Sequence, residues 1–342
     1  MARSVFALCA LAQVLLLPAA AFASDMDLAL SRLHLSRGNG GCVTPDASVV
    51  CADNAAFERL VSELGVTLAP AVNRGAASLG PRGFYIGVSS TGTPISPGER
   101  YWTRGTVGDV SGATANASPD ALLVWNRLDV RKGLPFGFEI GSSLGQGIDT
   151  SMWLFAGELK WALFEGYHSG AGQLPDVAVR GTLQTTIGSR QLSLQTSTLD
   201  VTLSKPFVVG EHYRVTPFAA LALLFVRATT GRIDLTPNVD VFSACGPQAK
   251  AGSTGTTGDN SILQCTKKTS TDVANYAVFD PVSQMRTRMF MGLEASERFL
   301  TMSASLGFDL TTPQLRAHTA SDGWTTGMVR QFSFHLAFGL RY

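Results

Sequence analysis

From residue 83 onward, apolar and polar positions alternate with a period of two. The last segment shows it best. Phe332, Phe334, Leu336, Phe338, Leu340 and Tyr342 share one parity, while Gln331, Ser333, His335, Ala337, Gly339 and Arg341 share the other. A strand sends successive side chains to opposite faces, so this segment has one greasy face and one polar or small face. The rhythm recurs in Val177, Val179 and Leu183, in Leu199, Val201 and Leu203, in Met289, Met291 and Leu293, and in Met302, Ala304 and Leu306. It predicts about ten strands, near 82–91, 120–131, 135–145, 151–164, 175–188, 190–205, 212–228, 284–296, 299–311 and 325–342; eight or twelve remain open. Most reach the 9–11 residues of a tilted membrane strand. Leu192 and Leu194 sit on the opposite parity from Leu199, which predicts a bulge near Ser197.

Connection lengths alternate as well. The links around 132–134, 165–174, 206–211 and 297–298 are short, while those near 92–119 and 229–283 are long. Up-and-down membrane barrels have this asymmetry, with short periplasmic turns and longer outer loops. A soluble β-sandwich also alternates. Against it stand a polar face rich in Gly, Ser and Thr with charges of both signs, and aromatics at the strand ends. Phe136, Tyr167, Tyr213, Phe299 and Tyr342 fall at one end, and Trp153 and Trp324 at the other, as in two interfacial girdles.

Residues 24–80 follow a different period. Asp53 or Asn54 can cap a helix in which Phe57, Leu60, Val61 and Leu64 recur at helical spacing, with Gly65 able to end it. Its apolar stripe needs a partner, so the segment is expected either in the periplasm or inside the barrel as a plug. Gly75, Gly80 and Pro81 mark the hinge to the barrel of residues 81–342.

Residues 1–23 read as a signal peptide. Arg3 precedes an apolar stretch over 5–17, and Ala21, Phe22 and Ala23 place cleavage between Ala23 and Ser24. Export leads to an oxidising compartment. The remaining cysteines fall into two local pairs, Cys42 with Cys51 and Cys245 with Cys265, and loop-closure entropy favours joining near neighbours. Charged residues make up 15% of the chain and the formal net charge is +1. That leaves no basic stripe for nucleic acid and suits an outer face in contact with lipid.

With the apolar face toward lipid, the interior holds Arg127, Asp129, Glu139, Glu158, Lys160, Arg180, Asp200, Arg214, Arg286, Arg288, Glu294, Asp309 and Arg341. Of these, Arg180, Arg286, Arg288, Glu139, Glu158 and Asp309 are the candidate lumen charges, and the three arginines are the best candidate anion contact. A barrel of about ten strands has little bore, so opposite charges are expected to satisfy one another in a mostly filled lumen.

The chain from about residue 81 resembles Gram-negative outer-membrane β-barrel proteins as a broad class. The run Phe334, Leu336, Phe338, Leu340, Tyr342 resembles the C-terminal signal read by the barrel-assembly machinery, although Ala337 stands where that class often has Gly. The resemblance implies an all-β, antiparallel transmembrane barrel in the outer membrane, with lipid and the assembly machinery as partners and the ligand unspecified. Catalytic, cofactor and metal sites are expected to be absent. No GxSxG or HExxH motif occurs, and His318 with Asp322 is the sole pairing near the outer rim that a hydrolase could use. The reading favoured is a non-catalytic barrel with a structural or surface-interaction role. A passive, porin-like channel for a small or hydrophobic solute comes second, and a rim hydrolase third.

Overall fold

In the computed structural model, the described residues are 24–35, 42, 50–109, 114–165, 174–189, 191–210, 213–237, 245–247, 263–265, 276–316 and 328–342. Ten long strands build one antiparallel sheet: β1 (Phe84–Pro94), β2 (Leu122–Gly133), β3 (Phe138–Gly147), β4 (Trp153–Phe164), β5 (Asp176–Ile187), β6 (Leu192–Ser204), β7 (Tyr213–Thr230), β8 (Val282–Glu297), β9 (Leu300–Asp309) and β10 (Phe332–Arg341). Each pairs with its chain neighbours, and β10 returns to β1 with Phe334 opposite Gly92 and Arg341 opposite Tyr85. The ten long strands therefore close into an up-and-down barrel, and a short strand, Phe207–Val209, pairs beside the start of β7. No helix among the described residues is long and apolar enough to cross a membrane.

The predicted alternation is the barrel's inside-outside pattern. Leu183, Leu199, Val201, Leu203, Met291, Leu293, Met302, Leu306 and Leu336 are exposed on the outer face, while Arg180, Asp200, Arg286, Arg288 and Asp309 are buried. At the turn end, Phe136, Tyr213, Phe299 and Tyr342 are exposed, and Trp153 is exposed at the loop end. Tyr167 and Trp324 lie outside the described residues. Phe136 belongs to a tight turn, Pro135–Gly137, not to β3, and adopts φ 62 there.

Two local expectations are corrected. There is no bulge near Ser197, because β6 and β7 pair without a break from Leu192 opposite Thr230 to Ser204 opposite Phe218. Leu192 and Leu194 keep their phase and point inward, where the wall is apolar. The register shift lies instead between Ala162 and Phe164, where β4 meets β5. The helix also runs past Gly65. Helix α1 spans Asn54–Leu68, with the Asp53 side chain accepting from the Ala56 N–H at 2.9 Å as its N-cap. A Cβ on Gly65 would lie 2.6 Å from Val226 Cγ1 on β7. Glycine here lets the helix approach the wall; it does not end the helix.

Beyond the sheet, the β7–β8 connection carries short antiparallel pairs, Ile233–Asp234 with Tyr276–Ala277 and Cys245–Pro247 with Leu263–Cys265. The β1–β2 connection carries a short helix α2 (Arg100–Gly105).

Candidate functional site in the barrel interior

Every residue of α1 after Asn54 is buried. A helix hidden on all sides needs apolar walls all round. Phe57, Leu60, Val61 and Leu64 share one cluster with inward-facing Leu123 and Trp125 of β2, Leu154 of β4, Leu192 and Leu194 of β6, Leu224, Val226 and Ala228 of β7, and Val282 of β8. All of these wall residues lie toward the loop end of their strands. The stretch before α1 is also held at that end. The Met26 N–H donates to the Asp149 carbonyl, the Ala29 N–H to the Gly105 carbonyl, and the Leu30 N–H to Gln191 Oε1.

After α1, residues 69–80 run as an irregular strap toward the start of β1. An extended segment with no sheet partner leaves backbone groups unsatisfied, and buried ones need donors and acceptors. The inward charges supply them. Arg127 Nη2 and Gln184 Nε2 both donate to the Leu68 carbonyl at 2.6 Å, and Arg180 Nη2 donates to the Ala71 carbonyl at 2.9 Å. Lys160 Nζ donates to the carbonyls of Gly75 at 3.1 Å and Ala77 at 2.8 Å. Glu294 accepts from the Gly75 N–H at 2.9 Å, Glu139 accepts from the Leu79 N–H, and Arg341 donates to the Ser78 carbonyl at 3.1 Å. The strap's Arg74 lies over the Tyr85 ring, 4.5 Å from its centroid.

The predicted lumen charges divide into separate sites. Glu158 accepts from Arg131 and from Arg180 (3.4 Å), and Arg180 Nε reaches Asp200 at 3.0 Å. Asp309 holds both Arg286 (2.8 Å) and Arg288 (2.9 Å), and Arg286 also donates to the Ser62 carbonyl of α1 at 3.0 Å. Glu139 sits 3.6 Å from Lys160. Arg180 is thus committed to Glu158 and Asp200 while Arg286 and Arg288 share Asp309, so the three do not form one anion contact. His335 is buried between Thr91 and Ser333, at 3.0 and 2.9 Å. Arg214, expected inside, is exposed near the turn end.

Sequence reasoning missed one group, because its members lie far apart in the chain. Glu63 of α1 is 1% exposed. Its carboxylate accepts from Ser96 Oγ at 2.7 Å, the Ser96 N–H at 3.2 Å, Tyr101 Oη at 3.0 Å and Trp102 Nε1 at 2.5 Å. All four donors come from the β1–β2 connection. Burial, and then the adjacent Glu63 carboxylate, push the Tyr101 phenol well above its usual range, so it stays a donor.

Two small cavities lie beside the strap. The cavity lined by Arg127, Arg131, Arg180 and His335, and the one beside Glu139 and Lys160, each measure about 20 Å³, enough for about one water. A wider groove of about 430 Å³, lined by Leu293, Met302, Leu336 and Phe338 among others, opens on the outward face. Among the described residues no cluster of metal-binding side chains occurs.

Cys42 and Cys51 are joined by a disulfide. The backbone register sets Cys245 opposite Cys265, while their side chains, like Ala23, His168, His212, His318 and Asp322, lie outside the described residues. Ser24 is described at the loop end, where its N–H donates to Asp27. Phe334, Leu336, Phe338 and Leu340 alternate outward on β10, with Tyr342 following the strand.

No family model matches the chain, and no curated protein matches it. Among solved structures it is similar to the N-terminal β-barrel domain of Pseudomonas aeruginosa OprF, at 9% identity and a TM-score of 0.29, covering 77% of this chain and 99% of that one. It is similar to the outer membrane protein OprG of Pseudomonas aeruginosa at 7% identity and a TM-score of 0.30, covering 79% and 99%. Neisserial surface protein A gives 8% and 0.27, covering 76% and 97%. The architecture is a closed antiparallel barrel of ten long strands with an apolar outer belt. These likenesses carry no argument about function; the closed ladder and the apolar outer belt carry the architecture.

Proposed function

We propose that this chain is a non-catalytic outer-membrane barrel with a structural or surface-interaction role, whose lumen is held closed by its own residues 50–80. The observation that carries the reading is the strap between α1 and β1, whose backbone groups are bonded by inward side chains of β2, β3, β4, β5, β8 and β10. In this reading residues 1–23 are removed after Ala23, the outer face meets lipid, and the alternating run ending in Tyr342 is handed to the barrel-assembly machinery. Residues 245 and 265 close a second disulfide, which the backbone register favours. The long connections then form the outer surface, where binding usually resides. The test is conductance in planar bilayers. The full chain should show no steady unitary current, and a variant lacking residues 50–79 should conduct. Steady current through the intact chain would overturn the closed-lumen reading.

A second reading is a passive route for a hydrophobic solute. The loop-end wall supports it, because Leu123, Trp125, Leu154, Leu192, Leu194, Leu224 and Val226 would form an apolar cup if α1 moved aside. Uptake of an apolar fluorophore into vesicles by the full chain, exceeding that of empty vesicles, would favour this route.

A further inference from the structure

We infer that the β1–β2 connection is a latch on α1, and that the barrel is opened or kept shut from its loop face through Glu63. The inference rests on the closed-lumen reading above and adds what controls it.

The contacts of α1 with the barrel wall are mostly apolar and therefore non-directional. Its Glu63 contact is directional. A carboxylate out of water is tolerated only when its lone pairs are met by donors. Here four donors, from Ser96, Tyr101 and Trp102, belong to a single connection. That connection is tied in turn to the stretch before α1. Thr106 bridges Leu28, the Val107 N–H donates to the Asp27 carbonyl, and Arg32 donates to the carbonyls of Thr106 and Val107 at 2.8 and 2.9 Å. Other loop-end connections reach this stretch or the first turns of α1. Asp27 Oδ1 accepts from the Ser151 N–H at 2.6 Å, Asn54 donates to Asp280 at 2.9 Å, and the Arg316 N–H donates to Glu58 at 3.0 Å.

Moving the β1–β2 connection away strips Glu63 of these donors and leaves a buried anion whose charged neighbour, Arg286, is already bonded to Asp309 and Ser62. The helix then gains by rising to water. The turn end offers no equivalent route, because the stretch before α1 is fastened on the loop side and would have to be drawn through the barrel. Outward displacement of the connection is therefore the step that frees the lumen.

The experiment uses the full chain in planar bilayers, beside the variant lacking residues 50–79. Folding of every variant is checked by heat-modifiable gel migration. In S96A/Y101F/W102F, which removes the side-chain donors, open events should rise at least tenfold over the parent. Adding Glu63→Met, which removes the anion left without donors, should return them to the parental frequency. If the donor variant stays as quiet as the parent while the deletion conducts, the latch is wrong and the closed lumen stands. If the deletion is also silent, the closed-lumen reading fails and the latch with it. Should the triple variant not fold, Trp102→Phe with and without Glu63→Met replaces it, with the same directions expected and an unchanged frequency counting against the latch.

Discussion

At the loop end the barrel wall meets the N-terminal segment through leucine, valine and tryptophan. Toward the turn end it meets the same segment through arginine, lysine and carboxylates. The difference follows from what each part of the segment needs. Helix α1 satisfies most of its own backbone, so apart from Ser62, Glu63 and the Leu68 carbonyl its surroundings mainly fill space. The strap has no internal ladder, and an unpaired buried peptide group costs about 1–3 kcal/mol. Its surroundings must donate and accept. One barrel therefore carries two kinds of interior, each fitted to the backbone state of the chain that crosses it.

The comparison can be broken most strongly at Asp309, which holds both Arg286 and Arg288. Asp309→Ala leaves two buried guanidiniums without their carboxylate, and breaking a buried pair costs roughly 3–5 kcal/mol. The midpoint of urea unfolding of the refolded barrel, followed by tryptophan fluorescence, should fall accordingly. A midpoint equal to the parent's would mean that water serves these arginines as well.

The apolar end is tested at Gly65. Gly65→Val forces a side chain onto Val226, and overpacking costs about 1–3 kcal/mol. Amide exchange should quicken across residues 54–68 while the strand amides keep their protection. Val226→Ala in the same chain should reverse much of the effect. Equal loosening of helix and strands would show that the two interiors do not behave separately. The smallest effect is expected from Asp53→Ala, where losing the N-cap costs about 1 kcal/mol. Exchange should then rise in the first turn of α1 and nowhere else.

The barrel was legible because each strand meets two solvents, and a period of two records that difference directly. Nine of the ten strands appear within three residues of the positions read from alternation, while the last begins at Phe332 and not near 325. The helix and its Asp53 cap were legible for the same local reason. Leu192 and Leu194 misled because alternation tells that a residue differs from its neighbours, not which side is inside. Apolar residues facing inward look like a slip of phase until the helix they pack against is known. Gly65 misled similarly, since glycine marks both helix ends and close approaches.

By itself the sequence determined the two-faced alternation of about ten strands, the existence of α1 and the mixed charge of one strand face, since all of these depend on neighbours one to four residues away. Only the tertiary structure decided where α1 lies, which carboxylate each arginine joins, and that Glu63 meets Ser96, Tyr101 and Trp102. Those contacts join residues 20 to 224 positions apart, and no local period encodes a meeting that strand pairing and barrel closure bring about.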